Sequence, residues 1–162
     1  MPKTAVKAIP DGYHTITPNL TIRQAAKAID FYKKALGAEE LGRMPGPGGT
    51  VMHAELQIGN SKFMLGEESQ EMGCLGPQAI GGSATSLYIY VENVDAAWKR
   101  AIDAGGKPKM PPADMFWGDR MSSFEDPFGH KWSLAQHVKD VTPEEMKLGA
   151  EAFTEQMKTK KK

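Results

Sequence analysis

The chain has 162 residues, of which 40% are hydrophobic and 25% charged, as in an ordinary globular protein that is long enough to bury a core. Lysine plus arginine and aspartate plus glutamate each total 20, and this balance argues against nucleic acid or a membrane surface as a partner. A single cysteine, Cys74, excludes an intrachain disulfide. With no evident signal peptide or long apolar run, we expect a cytoplasmic protein.

The first half of the chain predicts a strand, an amphipathic helix and further strands. Thr21 to Gln24 fit a capping box at the helix start, and Gly37 is suited to end the helix. The predicted elements are a strand over 14–22, a helix over 25–36, a turn over 45–49, a strand over 51–58, a turn over 59–61 and a strand over 62–65.

The second half predicts the same order, followed by one more helix. Residues 67–82 are polar and glycine-rich and read as a linker between the halves. Thr142 to Glu145 form a second capping box, with proline at the first helical position. The predicted elements are a strand over 85–91, a helix over 95–104, a proline-containing loop over 110–115, a strand over 117–124, a tight turn over 126–129, a strand over 131–137 and the C-terminal helix.

One pattern occurs twice at an offset of 69 residues, matching residues 62–65 with 131–134 and residues 17–20 with 86–89. Each copy reads strand, helix and three strands. The predicted fold is α+β, with two βαβββ modules forming a curled mixed sheet around a concave cavity, plus a C-terminal helix. The predicted boundaries are a single domain over 13–137, with module one at 13–66, the linker at 67–82 and module two at 83–137, and a helix with a basic tail over 138–162.

Alternation along the strands predicts which faces are buried. Ala54 and Leu56 point to the opposite face from His53 and Glu55, because successive side chains alternate. The same rule separates Leu87 and Ile89 from Ser86, Tyr88 and Tyr90, and Trp132 and Leu134 from Ser133, Ala135 and His137. The apolar sets are predicted to pack on the helices, and the polar or aromatic sets to face water or a pocket.

Six segments carry a resemblance to a known family: Ala28–Gly37, Arg43–Pro47, His53–Leu56, Met110–Arg120, Asp126–His130 and Asp140–Met146. Together with the two modules, they resemble the vicinal oxygen chelate superfamily, which contains glyoxalase I, extradiol dioxygenases and bleomycin-resistance proteins. Within it, the chain is most similar to the PhnB-like branch, and the resemblance runs from Tyr13 to Met146.

The resemblance implies where a metal would be held, since metal-dependent members use four His or Glu ligands on the first and last strands of each module. Those positions are here Thr17, Met64, Ser86 and Ser133, which are poor ligands for a divalent ion. We therefore predict no metal and no cofactor. A displaced metal site built partly from His53, Glu55 and His137 remains the alternative. The resemblance also implies a homodimer.

His53 and Glu55 share one strand face and are the candidate catalytic residues, as a general base with its carboxylate partner. The structural alternative is that His53 hydrogen-bonds a neighbour and Glu55 pairs with a cation such as Arg43 or Arg120.

The aromatic segment ending in Trp117, Asp119 and Arg120 predicts a pocket wall. Alternation puts Trp117 and Asp119 on one face and Arg120 on the other, where Arg120 could grip a carboxylate or phosphate. A subunit contact is the alternative reading. The predicted ligand-binding residues are Thr17, Met64, Ser86, Tyr88, Tyr90, Trp117, Asp119, Arg120 and Ser133.

Three functions follow from these patterns. The first is a metal-independent protein that binds or sequesters a small molecule. The second is a glyoxalase-like lyase, isomerase or dioxygenase-type enzyme with an atypical metal site or the His53 and Glu55 pair. The third is a structural or regulatory dimer with a vestigial pocket.

Overall fold

The computed structural model describes residues 6–159. These residues form two compact units: one holds the described residues up to Ala84 together with Pro127–His130, and the other holds Thr85–Asp126 and the described residues from Lys131. The elements are β1 (Asn19–Ile22), α1 (Ala25–Leu36), β2 (Glu39–Pro45), β3 (Val51–Ile58), β4 (Ser61–Glu67), α2 (Pro77–Ile80), β5 (Ser86–Tyr90), α3 (Val94–Asp103), β6 (Lys107–Asp114), β7 (Asp119–Glu125), β8 (Lys131–His137) and α4 (Pro143–Thr159).

Each unit contains one open, mixed sheet of four strands. Their orders are β1-β4-β3-β2 and β5-β8-β7-β6. In each sheet the first strand pairs in parallel with the last, and the other pairs are antiparallel. The predicted α+β fold of two βαβββ modules with a C-terminal helix is confirmed, whereas the module boundaries stay a prediction.

The core of the first unit lies between α1 and its sheet. Leu56 and Leu65 are fully buried, as are Ile29 and Tyr32 of the helix, so the predicted inward face of β3 is correct. Burying each such side chain contributes about 1.5–3 kcal/mol. His53 and Glu55 remain partly exposed on β3, and this leaves the opposite face of the sheet available for polar chemistry.

In the second unit α3 packs against β6, β7 and β8. Phe124 and Leu134 are fully buried and Trp132 nearly so. Ser86, Tyr88 and Tyr90 are exposed along β5. This alternation agrees with the predicted facing of β5 and β8, except that Ala135, predicted on the open face, is fully buried. It places the aromatic residues of β5 on the sheet face that α3 does not cover.

The capping box predicted at Thr21 is wrong. Helix α1 begins after Gln24, whose φ of 66° is left-handed, and no side chain of the N-cap residue caps it. The carboxylate of Glu67, at the end of β4, instead accepts the backbone N–H groups of Gln24 and Ala25 at 2.7 and 2.9 Å. The carboxylate of Glu67, which is distant in sequence, therefore accepts hydrogen bonds from the start of the helix, where the hydroxyl of Thr21 was expected to do so. The predicted first strand, 14–22, is also shorter, beginning at Asn19.

The loop predicted over residues 110–115 is also wrong, because most of it belongs to β6. Pro111 and Pro112 lack the N–H that a central strand needs. Strand β6 lies at the sheet edge, next to β7 only, and its register shifts between Met110 and Ala113. An edge position with an irregular register tolerates the missing donors.

The C-terminal capping box is confirmed. The backbone N–H of Thr142 donates to the Glu145 carboxylate at 2.8 Å, and the Glu145 N–H donates to the Thr142 hydroxyl at 3.2 Å. The predicted basic tail at Lys160–Lys162 lies outside the described residues. Within residues 6–159, no helix is both long and apolar enough to cross a membrane.

Candidate functional site

The polar face of the second sheet brings together side chains from three strands. Asp119 at the start of β7 pairs across the ladder with His137 at the end of β8. Tyr88 on β5 pairs with Ser133 on β8. The hydroxyls of Ser86 and Ser133 lie 3.4 Å apart. Predicted site residues of β5, β7 and β8 therefore share one surface, which we call the tyrosine face; it consists of Ser86, Tyr88, Tyr90, Trp117, Asp119, Ser133 and His137.

Asp119 is the centre of the tyrosine face. Its side chain is only 6% exposed. One carboxylate oxygen accepts hydrogen bonds from the hydroxyls of Tyr88 at 3.2 Å and Tyr90 at 3.1 Å, and the other accepts one from Nδ1 of His137 at 2.9 Å. Burial opposes ionisation of Asp119, but the hydrogen bonds from His137, Tyr90 and Tyr88 outweigh it and hold the carboxyl pKa below its usual value.

His137 connects this buried carboxylate to a second, exposed one. Its Nε2 lies 2.9 Å from a carboxylate oxygen of Asp140. The hydrogen bond to Asp140 and, to a smaller extent, the hydrogen bond to Asp119 raise the pKa of His137. A carboxylate only accepts hydrogen bonds, so both ring nitrogens must donate, and the arrangement favours the imidazolium form.

The two tyrosines are exposed yet fixed in orientation. Tyr88 is 47% exposed and Tyr90 is 64% exposed, and their rings meet edge to face with centroids 5.4 Å apart. Desolvation and the Asp119 charge raise the pKa of Tyr88 to about 12, against the opposing effect of a hydrogen bond from Trp117. Hydrogen bonding to Asp119 also raises the pKa of Tyr90. Both phenols therefore stay protonated and keep donating to Asp119 at neutral pH.

Arg120 lies on the other face, as alternation predicts. Its guanidinium forms two bonds of 2.8 Å to Asp95 on α3 and one of 2.9 Å to Asp114 on β6. These two carboxylates raise the pKa of Arg120. The structure does not bring Arg120 to the tyrosine face, and its donors are directed to Asp95 and Asp114.

The first unit carries the other candidate group. Nε2 of His53 lies 3.7 Å from a carboxylate oxygen of Glu55, and each side chain is 39% exposed. Interaction with the Glu55 carboxylate, together with burial, raises the pKa of Tyr13 to about 12. The Lys62 ammonium lies 4.3 Å from the centre of the Tyr13 ring. Arg43 pairs with Glu40 instead of Glu55, so the expected pairing of Glu55 with Arg43 does not form.

The residues at the implied metal positions do not fit a divalent ion. Thr17 precedes β1, and its hydroxyl donates to the carbonyl of His14 at 3.3 Å, while Met64 on β4 offers a thioether. Ser86 and Ser133 offer neutral hydroxyls. Hard or borderline divalent ions prefer carboxylate, imidazole or thiolate ligands. Across residues 6–159, no three His, Cys, Asp or Glu side chains form a group that could hold a metal ion.

Sequence reasoning missed the roles of His137, Asp140 and Tyr13. The first of these was within reach. The tight turn over 126–129 joins β7 to β8, and counting outward from Glu125 opposite Lys131 brings Asp119 opposite His137. The pairing of Asp119 with His137 on one face of the hairpin could therefore have been predicted from the sequence. Asp140 and Tyr13 lie outside the strands, where alternation predicts nothing.

Comparisons with known proteins agree with this fold. The sequence model of one protein family, the Glyoxalase/Bleomycin resistance protein/Dioxygenase superfamily, matches residues 13–134. An uncharacterized protein of Mycobacterium bovis is 42% identical over 135 residues, covering 81% of this chain and 88% of the relative. An uncharacterized Arabidopsis thaliana protein is 28% identical, covering 75% of this chain and 77% of the relative.

Solved structures show the same architecture. TioX from Micromonospora sp. ML1 is 25% identical with a TM-score of 0.63, covering 77% of this chain and 99% of that chain. A PhnB protein from Bacillus cereus is 21% identical with a TM-score of 0.58, covering 76% of this chain and 99% of that chain. At this identity, the PhnB protein is similar in fold alone.

Proposed function

We propose, from the premise that this chain belongs to the Glyoxalase/Bleomycin resistance protein/Dioxygenase superfamily, that it binds a small molecule without the help of a metal ion. The tyrosine face is the proposed contact surface. Fold alone does not give a function in widely used scaffolds, so the proposal depends on the side chains of the site.

One observation carries the proposal: two exposed aromatic rings are held in a fixed orientation by a buried carboxylate. Tyr88 and Tyr90 keep about half or more of their surface in water, although burying aromatic surface is favourable. Their hydroxyls are anchored on Asp119. A ligand that covers these rings would gain apolar burial and lose little side-chain entropy, because the rotamers are already fixed.

The chemistry of the implied ligand positions supports metal independence. The hydroxyls of Ser86 and Ser133 are hydrogen-bonded to one another, and the Thr17 hydroxyl donates to the backbone carbonyl of His14. Met64 contributes a soft, neutral sulfur. A divalent ion that bound to these four neutral side chains would lose water from its hydration shell without gaining charged ligands in exchange.

The test is a thermal-unfolding screen with aromatic small molecules of each charge, bleomycin among them, performed once in EDTA and once with added Zn²⁺ or Mn²⁺. A ligand that binds only the folded chain raises the melting temperature. We expect at least one compound to raise it equally in EDTA and in metal. Tyr88→Leu and Tyr90→Leu should each remove that shift.

The matched control is Phe153→Leu, which changes an aromatic residue of α4 that is 46% exposed but is not bonded to a carboxylate. It should leave the ligand-induced shift unchanged. Stabilisation that appears only when the metal is present, or that survives loss of both tyrosines, would contradict the proposal.

A second function is favoured by the distance between His53 and Glu55. At 3.7 Å, a small side-chain movement would bring them to hydrogen-bond distance, as in a general base oriented by a carboxylate. This would suit a glyoxalase-like enzyme acting by proton transfer. The test is turnover of hemithioacetal substrates in EDTA: His53→Gln should abolish it if this function is correct, and no turnover by the unaltered chain would exclude it for these substrates.

We further propose a homodimer in the cytoplasm. The homodimer is proposed from the resemblance to this superfamily and is supported by exposed apolar side chains on α4, including Leu148 and Met157. The cytoplasmic location is supported by the exposed free thiol of Cys74, which a reducing compartment would preserve. Light scattering coupled to gel filtration should give twice the chain mass, and a single chain mass would exclude the dimer.

A further inference from the structure

We infer that the tyrosine face selects an organic cation, such as a quaternary ammonium group held over the rings of Tyr88 and Tyr90. This inference rests on the proposed small-molecule function and adds the chemical class of the ligand. Three features of the site lead to it: the direction of its hydrogen-bond donors, its net charge and the protonation state of the phenols.

The donors of Tyr88, Tyr90 and His137 are directed to carboxylates. The hydroxyl protons of Tyr88 and Tyr90 both go to Asp119. Both ring nitrogens of His137 face carboxylates. A tyrosine hydroxyl has a single proton, so a tyrosine that donates inward presents only oxygen lone pairs and its ring face to a ligand. An anion therefore meets few donors here, whereas a cation meets acceptors and π faces.

The site also carries net negative charge. Two carboxylates, Asp119 and Asp140, surround the one imidazolium of His137, which leaves one negative charge. Asp119 is buried, so water screens its charge poorly. A cation placed over the tyrosines gains from this charge as well as from the negative faces of the rings.

The state of the phenols distinguishes an organic cation from a metal ion. Tyr88 and Tyr90 remain protonated at neutral pH, because burial of Tyr88 and the hydrogen bond of Tyr90 to Asp119 raise the pKa of each phenol above its ordinary value. A neutral phenol is a weak metal ligand, but its ring attracts a large, weakly hydrated cation. In the edge-to-face pair, with centroids 5.4 Å apart, the ring faces carry the negative potential and the ring edges the positive one, so the methylated ammonium group would lie against a ring face.

The test compares choline with its neutral isostere 3,3-dimethylbutan-1-ol, which has the same shape and lacks the charge. Each is titrated into the ¹⁵N-labelled chain in EDTA, and backbone amide shifts of β5 and β7 report binding. Choline should bind the unaltered chain about fivefold or more tightly than the alcohol, the range of a cation–π contact. Its N-methyl protons should also shift upfield, as protons over an aromatic face do.

Three variants locate the preference. Tyr90→Leu should remove it, and Phe153→Leu should keep it. Asp119→Asn preserves the shape of the side chain while removing its charge, and should weaken binding of choline by a larger factor than binding of the alcohol. The dispersed amide spectrum of each variant shows whether it is folded before its affinity is compared.

Two outcomes would overturn the inference. Equal or tighter binding of the alcohol would show that the face recognises shape without charge, and the proposed small-molecule function would stand. No shift of β5 or β7 amides with either compound would also overturn the inference. In that case the aromatic screen in EDTA decides separately whether the proposed function survives.

Discussion

The carboxylate of Asp119 lies 2.9 Å from Nδ1 of His137, directly across the β7–β8 ladder. The same carboxylate anchors both exposed tyrosines of β5. One buried acid thus fixes the side chains of two neighbouring strands, and the properties of the tyrosine face depend on it.

Replacing Asp119 by asparagine should destabilise the chain. The amide keeps the shape but replaces one of the two carboxylate oxygens that together accept three hydrogen bonds. Leaving groups of a buried network unsatisfied in this way lowers the free energy of unfolding by about 1–3 kcal/mol. Urea unfolding measures the loss. Asp95→Asn is the control: it alters an ion pair with Arg120 in which the Asp95 side chain is 57% exposed, so the loss of stability should be clearly smaller. Equal losses for the two variants would contradict the central role of Asp119.

Stability should fall as pH rises through the folded-state pKa of His137. Because that pKa is raised above the ordinary value of 6.5 by Asp140 and Asp119, the contribution is fully present below pH 6.5 and is lost at higher pH. His137→Gln should flatten the change in melting temperature above pH 6.5. A curve of melting temperature against pH for His137→Gln that matches that of the unaltered chain would contradict the assignment to His137.

Asp119 contributes to stability in a different pH range. Because its pKa is lowered in the folded state, its contribution falls only in acid, below its usual pKa of 3.8.

Removing the Glu67 carboxylate should weaken the start of α1. Glu67→Ala deletes the acceptor for the Gln24 and Ala25 N–H groups, and loss of an N-terminal cap costs about 0.5–2 kcal/mol. Thr21→Ala is the informative control, because the sequence alone predicts Thr21 as the cap. Chemical unfolding should show a larger loss for Glu67→Ala, and the reverse order would restore the local capping box.

Gly118→Ala should disturb the segment that holds Trp117. Gly118 has φ of +96°, and an added Cβ would lie 2.0 Å from the carbonyl oxygen of Lys139, so backbone must move. Gly73→Ala is the matched control, since Gly73 also has positive φ, of +67°, but faces open space. The control should cost about 1 kcal/mol from backbone strain alone, and Gly118→Ala clearly more. Similar melting temperatures for the two variants would contradict the close contact.

The sequence predicted most elements because their signals are local. Strand alternation gave the bounds of β3 and β8 and their buried faces, and Thr142 with Glu145 marked the start of α4. The errors came from tertiary context. Glu67 caps a helix more than 40 positions earlier in the chain, and an edge position lets the proline-rich β6 remain a strand.

The candidate site was predicted in the same uneven way. Tyr88, Tyr90 and Asp119 follow from alternation, since all three occupy the face opposite the apolar residues. The contact of His137 with Asp140 depends on the path of the chain after β8, which no periodic pattern describes. The position of Arg120 against Asp95 required knowing where α3 crosses the sheet.

The most direct test of small-molecule binding at the tyrosine face is an amide-shift map, in EDTA, with the compound that gives the largest melting-temperature increase. We predict saturable shifts centred on Tyr88, Tyr90 and Asp119 that are unchanged by added Zn²⁺. Shifts that require the metal ion, or that leave these three residues unaffected, would contradict the account.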